Sequence, residues 1–357
     1  MASYSSIHND SFFYLKKALS ARKEAQSFFL NQRHEKLEKY RQSLKFSKSF
    51  VRSLNSELDF KFPFTAPEKP VILTGCQSSG TTFLANILGA HPQSGFSNEA
   101  GIMRVAIIWF KHVAKNSTSF RSIRFVEFLN TINMLRNPKR KPRLTKLREK
   151  TEDIIKGYQQ DGRLFNWIEK NEVNEFIRNL AYDVHNYNVE EPLLWGDKYP
   201  EYILFLEDLE EIFYDCSWIF IIRNPWATMG SLWERRGIKP DQKFKKVHNE
   251  LRFSVEDARD QWSSWNLEWL KFRNKVSPSR RLEIKYEDLI AEPWTVLKSI
   301  EEFLQIEFIE HPKVQKVVKQ TDSTKINHWQ NRKFAEELTN CSITDDMEKV
   351  ARYFGYM

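Results

Sequence analysis

Residues 71–83 read V-I-L-T-G-C-Q-S-S-G-T-T-F. Val71 to Thr74 have the length and composition of a buried parallel strand. Gly75 and Gly80 then permit a tight backbone path, and Thr81 and Thr82 open a helix whose first N–H groups lack partners within the helix. Such a turn seats an anion, because the open N–H groups and the helix dipole both favour negative charge at that end. Leu84, Ala85, Ile87 and Leu88 give the helix an apolar face to lay on a sheet. Taken alone, the same glycine pattern also fits plain packing of a strand-to-helix turn.

The spacing of Gly75, Gly80, Thr81 and Thr82 resembles a Walker A loop, G-x-x-x-x-G-K-[ST], with Thr81 where an NTPase carries its lysine. No acidic Mg²⁺ site follows a second strand, so ATP or GTP hydrolysis is not expected, and a P-loop kinase stays a rival without its key residues. A second phosphate signature spans Cys216 to Arg236, C-S-W-I-F-I-I-R-N-P-W-A-T-M-G-S-L-W-E-R-R. Trp218 to Ile222 is an apolar run of strand length, and Pro225 suits the first turn of a helix, where its missing N–H is not needed. Arg223 therefore ends a strand, and Ser231 follows eight residues later on a helix. Ligands of open α/β sheets bind outside the carboxyl ends of strands, so both units face one crevice.

Together these residues resemble the sulfotransferases that use 3′-phosphoadenosine 5′-phosphosulfate (PAPS), of the bacterial and tyrosylprotein-sulfotransferase-like branch. Their first loop reads [KR]-S-G-T-T, and their second motif reads R-[DN]-P with a serine eight residues after the arginine. Gly196-Asp197-Lys198-Tyr199-Pro200 is similar to the family's D-K-x-P segment, and Leu206 to Phe213 to its approach to the second strand. Leu282 to Phe303, containing Tyr286-Glu287-Asp288-Leu289, resembles the Y-E-D-L-x-x-x-P segment, and Tyr353-Phe354-Gly355-Tyr356 a common bacterial ending. The resemblance runs from about Pro70 to the end. It implies an α/β, P-loop-like three-layer fold with a central parallel sheet flanked by helices, in a catalytic domain over 66–357. It also implies transfer of a sulfuryl group from PAPS to a hydroxyl of a carbohydrate, lipid, peptide or small molecule. The N–H groups of Ser79, Gly80, Thr81 and Thr82, with both threonine hydroxyls, would hold the 5′-phosphosulfate. Arg223 and Ser231 would hold the 3′-phosphate, through a guanidinium fork and a hydroxyl. Tyr286 would border the adenine; a half-buried tyrosine at a strand end is the open alternative.

The chain departs from the family where Ser78 replaces the usual Lys or Arg of the loop. Charge builds on the leaving phosphate during sulfuryl transfer, and a serine there supplies a hydrogen bond without a positive charge. Lys198, expected just past a short strand Leu193 to Trp195, is the substitute that the resemblance implies. Without an effective cation the chain would be a catalytically weakened homologue, binding nucleotide as a sensor or scaffold. Glu99 lies where the tyrosylprotein branch places a catalytic glutamate and is the base candidate; its other reading is a helix N-terminal acid before Ile102. His328 is a second base candidate, and Trp329 a residue that closes over the nucleotide. His91 reads as part of a helix-ending turn.

The 357 residues carry 55 Lys and Arg against 47 Asp and Glu, a formal charge of +8 that favours an anionic ligand. No nucleic-acid motif accompanies it, so PAPS is the expected anion and nucleic acid is not an expected partner. Cys76, Cys216 and Cys341 form an odd set without metal spacing; no metal is expected, and a reducing, cytoplasmic setting is. No apolar leader or membrane-spanning run occurs. Residues 1–65 read as an N-terminal helical extension of amphipathic helices that pack on the catalytic domain or on a second subunit, giving a homo-oligomer. The block Arg136 to Lys150 is strongly basic, either a solvated face or a lid for an anionic acceptor. Residues 163–187 read as a helix forming the acceptor wall. Trp262, Trp265 and Trp269 fall at helical spacing within Val255 to Lys275 and read as core rather than a sugar platform.

Overall fold

A computed structural model of the chain describes residues 69–107, 141–170, 172–238 and 253–357. The expected N-terminal extension, its boundary near residue 65 and residues 136–140 of the basic block lie outside these residues.

In chain order, β1 (Val71–Thr74) leads to α1 (Thr81–Leu88), β2 (Ser94–Asn98) and α2 (Ile102–Ile107). Helices α3 (Lys141–Gln160), α4 (Arg163–Lys170) and α5 (Val173–His185) precede β3 (Leu194–Lys198) and α6 (Leu206–Ile212). Then come β4 (Ser217–Ile222), α7 (Pro225–Trp233), α8 (Val255–Phe272) and β5 (Arg281–Lys285). The end of the chain is helical: α9 (Tyr286–Ala291), α10 (Pro293–Leu304), α11 (Pro312–Val318), α12 (Ala335–Asn340) and α13 (Asp345–Tyr353). The five strands form one sheet in the order β2-β3-β1-β4-β5, with every pair parallel. This is the expected α/β architecture.

Side-chain alternation divides the strands between two helical layers. Ile72, Trp218, Phe220 and Ile222 face a core shared with α5, α6 and α8. Val71, Leu73, Ile219 and Ile221 face the opposite core, with α1, α10 and α11. Burial on both faces explains the unbroken apolar run of β4, since a central parallel strand has no solvent side to alternate toward.

Strand β3 is displaced from the expected Leu193 to Trp195: it begins one residue later, at Leu194, and runs three residues further, carrying Asp197 and Lys198 as its last two residues. Its pairing with β1 matches Leu73 to Lys198, so the lysine is fixed by the sheet rather than by a following loop. The single helix expected over 163–187 is two helices, with Glu172 closing the first by donating its N–H to the Trp167 carbonyl at 2.9 Å. The rings of Tyr158, Trp167 and Phe176 pack edge to face across α3, α4 and α5.

The tryptophan stripe of α8 is core. Trp262 and Trp269 are fully buried, and the Trp269 ring stacks on Phe220 at 4.6 Å between centroids. Its indole N–H donates to Glu283 at 2.7 Å, so the polar end is satisfied as well. Trp269→Ala is expected to lower unfolding free energy by roughly 3–5 kcal/mol, through lost burial and the cavity left behind, with Glu283 still paired to Arg273. Urea denaturation measures this; a loss below about 1 kcal/mol contradicts the core assignment.

Candidate active site

The loop after β1 is closed from within. Ser79 donates both its backbone N–H, at 3.1 Å, and its hydroxyl, at 2.6 Å, to the Cys76 carbonyl. This differs from the expectation that the Ser79 N–H faces a ligand: Ser79 shapes the loop instead. The N–H groups of Gly80, Thr81 and Thr82 have no acceptor among the described residues and stand open at the N-terminus of α1. Gly80 adopts a left-handed φ of 94°, and a Cβ there would lie 2.2 Å from the Tyr286 ring. Gly75 is required by close approach, since a Cβ would meet the Ile221 carbonyl at 2.2 Å. The two glycines therefore press the loop against β4 on one side and against Tyr286 on the other.

Arg223 follows the last residue of β4 and donates through Nη1 to the Ser78 carbonyl at 3.2 Å. Its guanidinium lies 4.5 Å above the Tyr286 ring centroid. Burial opposes its charge, and its Nε has no partner among the described residues. Trp262 fixes this residue from below by donating its indole N–H to the Arg223 carbonyl at 3.1 Å. The turn that follows is held by Glu287, which accepts the Asn224 N–H at 2.9 Å and the Tyr356 hydroxyl at 2.7 Å. Asn224 caps α7 by accepting from the Ala227 N–H at 3.1 Å. Above it, Arg223, Ser231, Tyr286, His328, Trp329 and Arg332 line a cavity of about 410 Å³. Trp329 stacks against Trp226 at this wall, with centroids 6.2 Å apart. His328 thus sits on the Arg223 side.

Across β1, Lys198 is completely buried and donates to Glu99 at 2.8 Å and to the Thr82 hydroxyl at 3.0 Å. Glu99 lies beyond the end of β2 in a left-handed conformation, its N–H donating to the Lys198 carbonyl at 2.8 Å. Its carboxylate turns to the lysine and keeps 22% exposure, the one member of the pair in contact with solvent. Asp197, on the opposite face of the strand, accepts from the N–H groups of Ala100 and Gly101 and from the Tyr202 hydroxyl at 2.7 Å. It thereby holds the turn that presents Glu99. Burial is the main cause that lifts the Asp197 carboxyl to about 6, against those hydrogen bonds and the charge of Lys198.

Two residues at the end of the Cys216–Arg236 stretch, to which the sequence assigns no role, also reach the loop. Past α7 the helix widens into a π turn over Glu234–Ile238. From it Arg235 donates to the Ser78 hydroxyl and Arg236 to the Gln77 side-chain oxygen. The adjacent Glu234 pairs with Arg332 of the cavity wall. The signal available beforehand was a double arginine one helical turn past Ser231, which reads equally as a solvated helix end.

A family model described as the Sulfotransferase family matches residues 70–310. Among solved structures, the chain resembles the sulfotransferase domain from the curacin biosynthetic pathway at 17% identity and a TM-score of 0.51, covering 81% of this chain and 98% of that one. The sulfotransferase domain of the Synechococcus PCC 7002 olefin synthase gives 19% identity and a TM-score of 0.49, with 84% and 98% covered. A sulfotransferase from Mycobacterium avium gives 17% identity and 0.41, with 83% and 81% covered. The first of these likenesses shows the fold. A comparison with curated protein sequences gives no significant match. No described helix is long and apolar enough to cross a membrane.

The raised Asp197 carboxyl has a thermodynamic signature. Between the ordinary value of 3.8 and about 6, an unfolded chain ionises Asp197 while the fold keeps it protonated, so its contribution to stability falls as pH rises through that window. Asp197→Asn does not titrate there. Denaturation curves at successive pH values should show wild type losing stability relative to the variant from pH 4 to above pH 6, by at most about 3 kcal/mol. A difference that stays flat across this range contradicts the burial argument.

Proposed function

The chain belongs to the sulfotransferase family, and from that premise we propose that it transfers a sulfuryl group from PAPS to a hydroxyl of an acceptor molecule. The observation that carries this reading is the continuity of two anion seats. Arg223 touches the Ser78 carbonyl at 3.2 Å, and Tyr286 lies against both Gly80 and the Arg223 guanidinium. One nucleotide with phosphates at both ends can therefore span from the open amides to the arginine. The donor set fits: unpaired N–H groups at a helix start suit the 5′ end, and a buried, incompletely bonded guanidinium with a nearby serine suits the 3′-phosphate.

The chemistry follows from the Glu99–Lys198 pair. Glu99 takes the acceptor proton as the acceptor oxygen forms its bond to sulfur. The bond from sulfur to the 5′-phosphate oxygen breaks, and its electron pair stays on that phosphate. The two residues change roles together: as Glu99 gains a proton its attraction for Lys198 weakens, while the leaving phosphate attracts the same ammonium more strongly. Thr82 bonds Lys198 from the loop side and so keeps the lysine next to the phosphate seat. The rival reading, a nucleotide-binding sensor with impaired chemistry, rests on Ser78. An anionic acceptor agrees with the net charge of +8, and a cytoplasmic setting agrees with the three free cysteines.

Calorimetry with 3′-phosphoadenosine 5′-phosphate (PAP) against ATP tests the donor; PAP is expected to bind at least about tenfold more tightly, a difference of roughly 1.4 kcal/mol. Preference for ATP overturns the assignment. With labelled PAPS and an acceptor found by screening extract fractions, Glu99→Gln should lower kcat by about 10² to 10⁴ while changing PAP affinity little. Lys198→Ala should lower kcat by a similar order. Wild type without turnover on any fraction, yet with tight PAP binding, supports the sensor reading instead.

A further inference from the structure

Resting on the sulfotransferase reading, we propose that Arg235 and Arg236 supply the cation that the loop itself lacks, acting as catalytic residues that stabilise the departing 5′-phosphate. The loop carries Ser78 at the usual position of the basic residue, and Ser78 is the very group that Arg235 bonds. Arg236 bonds the neighbouring Gln77. Two guanidinium groups are thus brought to the same short segment from a different element, 157 and 159 residues away in the chain.

The backbone accounts for this delivery. In regular α geometry Arg235 would follow Ser231 on one helix face, toward the 3′-phosphate cavity. The π turn over Glu234–Ile238 takes up an extra residue and redirects the side chains that follow it. Arg236 is then braced from two places: its Nη1 donates to Gln261 of α8 at 2.6 Å, and its guanidinium lies 5.2 Å from the ring centroid of Phe253, just ahead of that helix. Gln261 precedes Trp262, the residue that holds the Arg223 carbonyl, so one helix positions groups at both ends of the nucleotide.

Electrostatics give the arrangement a purpose. Burial opposes the charge of Arg236, and the like charge of Arg235 opposes it further. A phosphate seated on the amides of Gly80 to Thr82 relieves that repulsion, and relieves it most when the sulfur–oxygen bond has broken and the charge is largest. Ser78 is part of the same arrangement. It sits at a φ of 73°, a conformation strained for most residues, and its small side chain leaves room for the Arg235 guanidinium from the π turn. In the transfer step the arginines accept neither proton nor electron pair; the acceptor–sulfur bond forms, the sulfur–phosphate oxygen bond breaks, and Glu99 holds the proton.

The test uses the full chain and needs no acceptor. Binding of PAP and of adenosine 3′-phosphate is measured for wild type, Arg235→Gln and Arg236→Gln, since only PAP carries the 5′-phosphate. Each substitution is expected to weaken PAP about tenfold, while adenosine 3′-phosphate, held by Arg223 and Ser231, changes less than about twofold and reports that the variant is folded. Release of labelled sulfate from PAPS to water should fall in the same variants, and less in Arg235→Lys than in Arg235→Gln. Adding Ser78→Arg to Arg235→Gln should restore most of the lost PAP affinity. Equal weakening of both ligands, or unchanged PAP binding, overturns the proposal and leaves the arginines as a latch between helix and loop. Wild type that prefers ATP over PAP instead overturns the sulfotransferase reading on which the proposal rests.

Discussion

The parallel seating of β1 between β3 and β4 is the constraint from which the site follows. Pairing Leu73 with Lys198 and Thr74 with Phe220 ends β3 and β1 within a residue of each other, with β4 running two residues further on the other side. The loop after Thr74 then emerges between Lys198 on one side and Arg223 on the other. The chain crosses from one half of the sheet to the other at β1, and a crevice forms where neighbouring connections leave in opposite directions. A slip of one residue in either pairing would turn Lys198 or the β4 side chains to the wrong face and dissolve the arrangement.

Around that crevice, charge is placed by elements rather than by loops alone. Lys198 ends a strand, Arg223 follows one, and Arg235 and Arg236 hang from a widened helical turn. Their supports are also shared: Trp262 and Gln261 on α8, Glu287 at the start of α9, and Asp197 beneath the Glu99 turn. Such braces limit how far each cation moves, and preorganised charge of this kind needs little rearrangement during reaction.

Much of this was legible in the chain. The β1 loop and the Trp218–Ile222 run announced themselves because continuous apolar strands and glycine-bounded turns are local signals. The core role of Trp262 and Trp269 followed from helical spacing. Lys198 was expected beyond a strand and is instead its last residue, because sheet pairing, which no local window contains, extends β3 to that point. The motif points the Ser79 N–H outward, whereas in the folded loop that donor closes on Cys76. No local signal gives Arg235 and Arg236 a role, because their placement depends on a π turn, a defect of phase that residue type does not encode. Glu287 lay inside a quoted motif, yet its bonds to Asn224 and Tyr356 join segments far apart in sequence.

The stacked indoles of Trp226 and Trp329 have a practical side. Trp329 lines the cavity at Arg223 and Trp226 stacks against it, so an aromatic ligand arriving there would change the emission of the pair. The protein therefore carries its own optical gauge of occupancy, readable by steady-state fluorescence in dilute solution without any dye, label or knowledge of the acceptor.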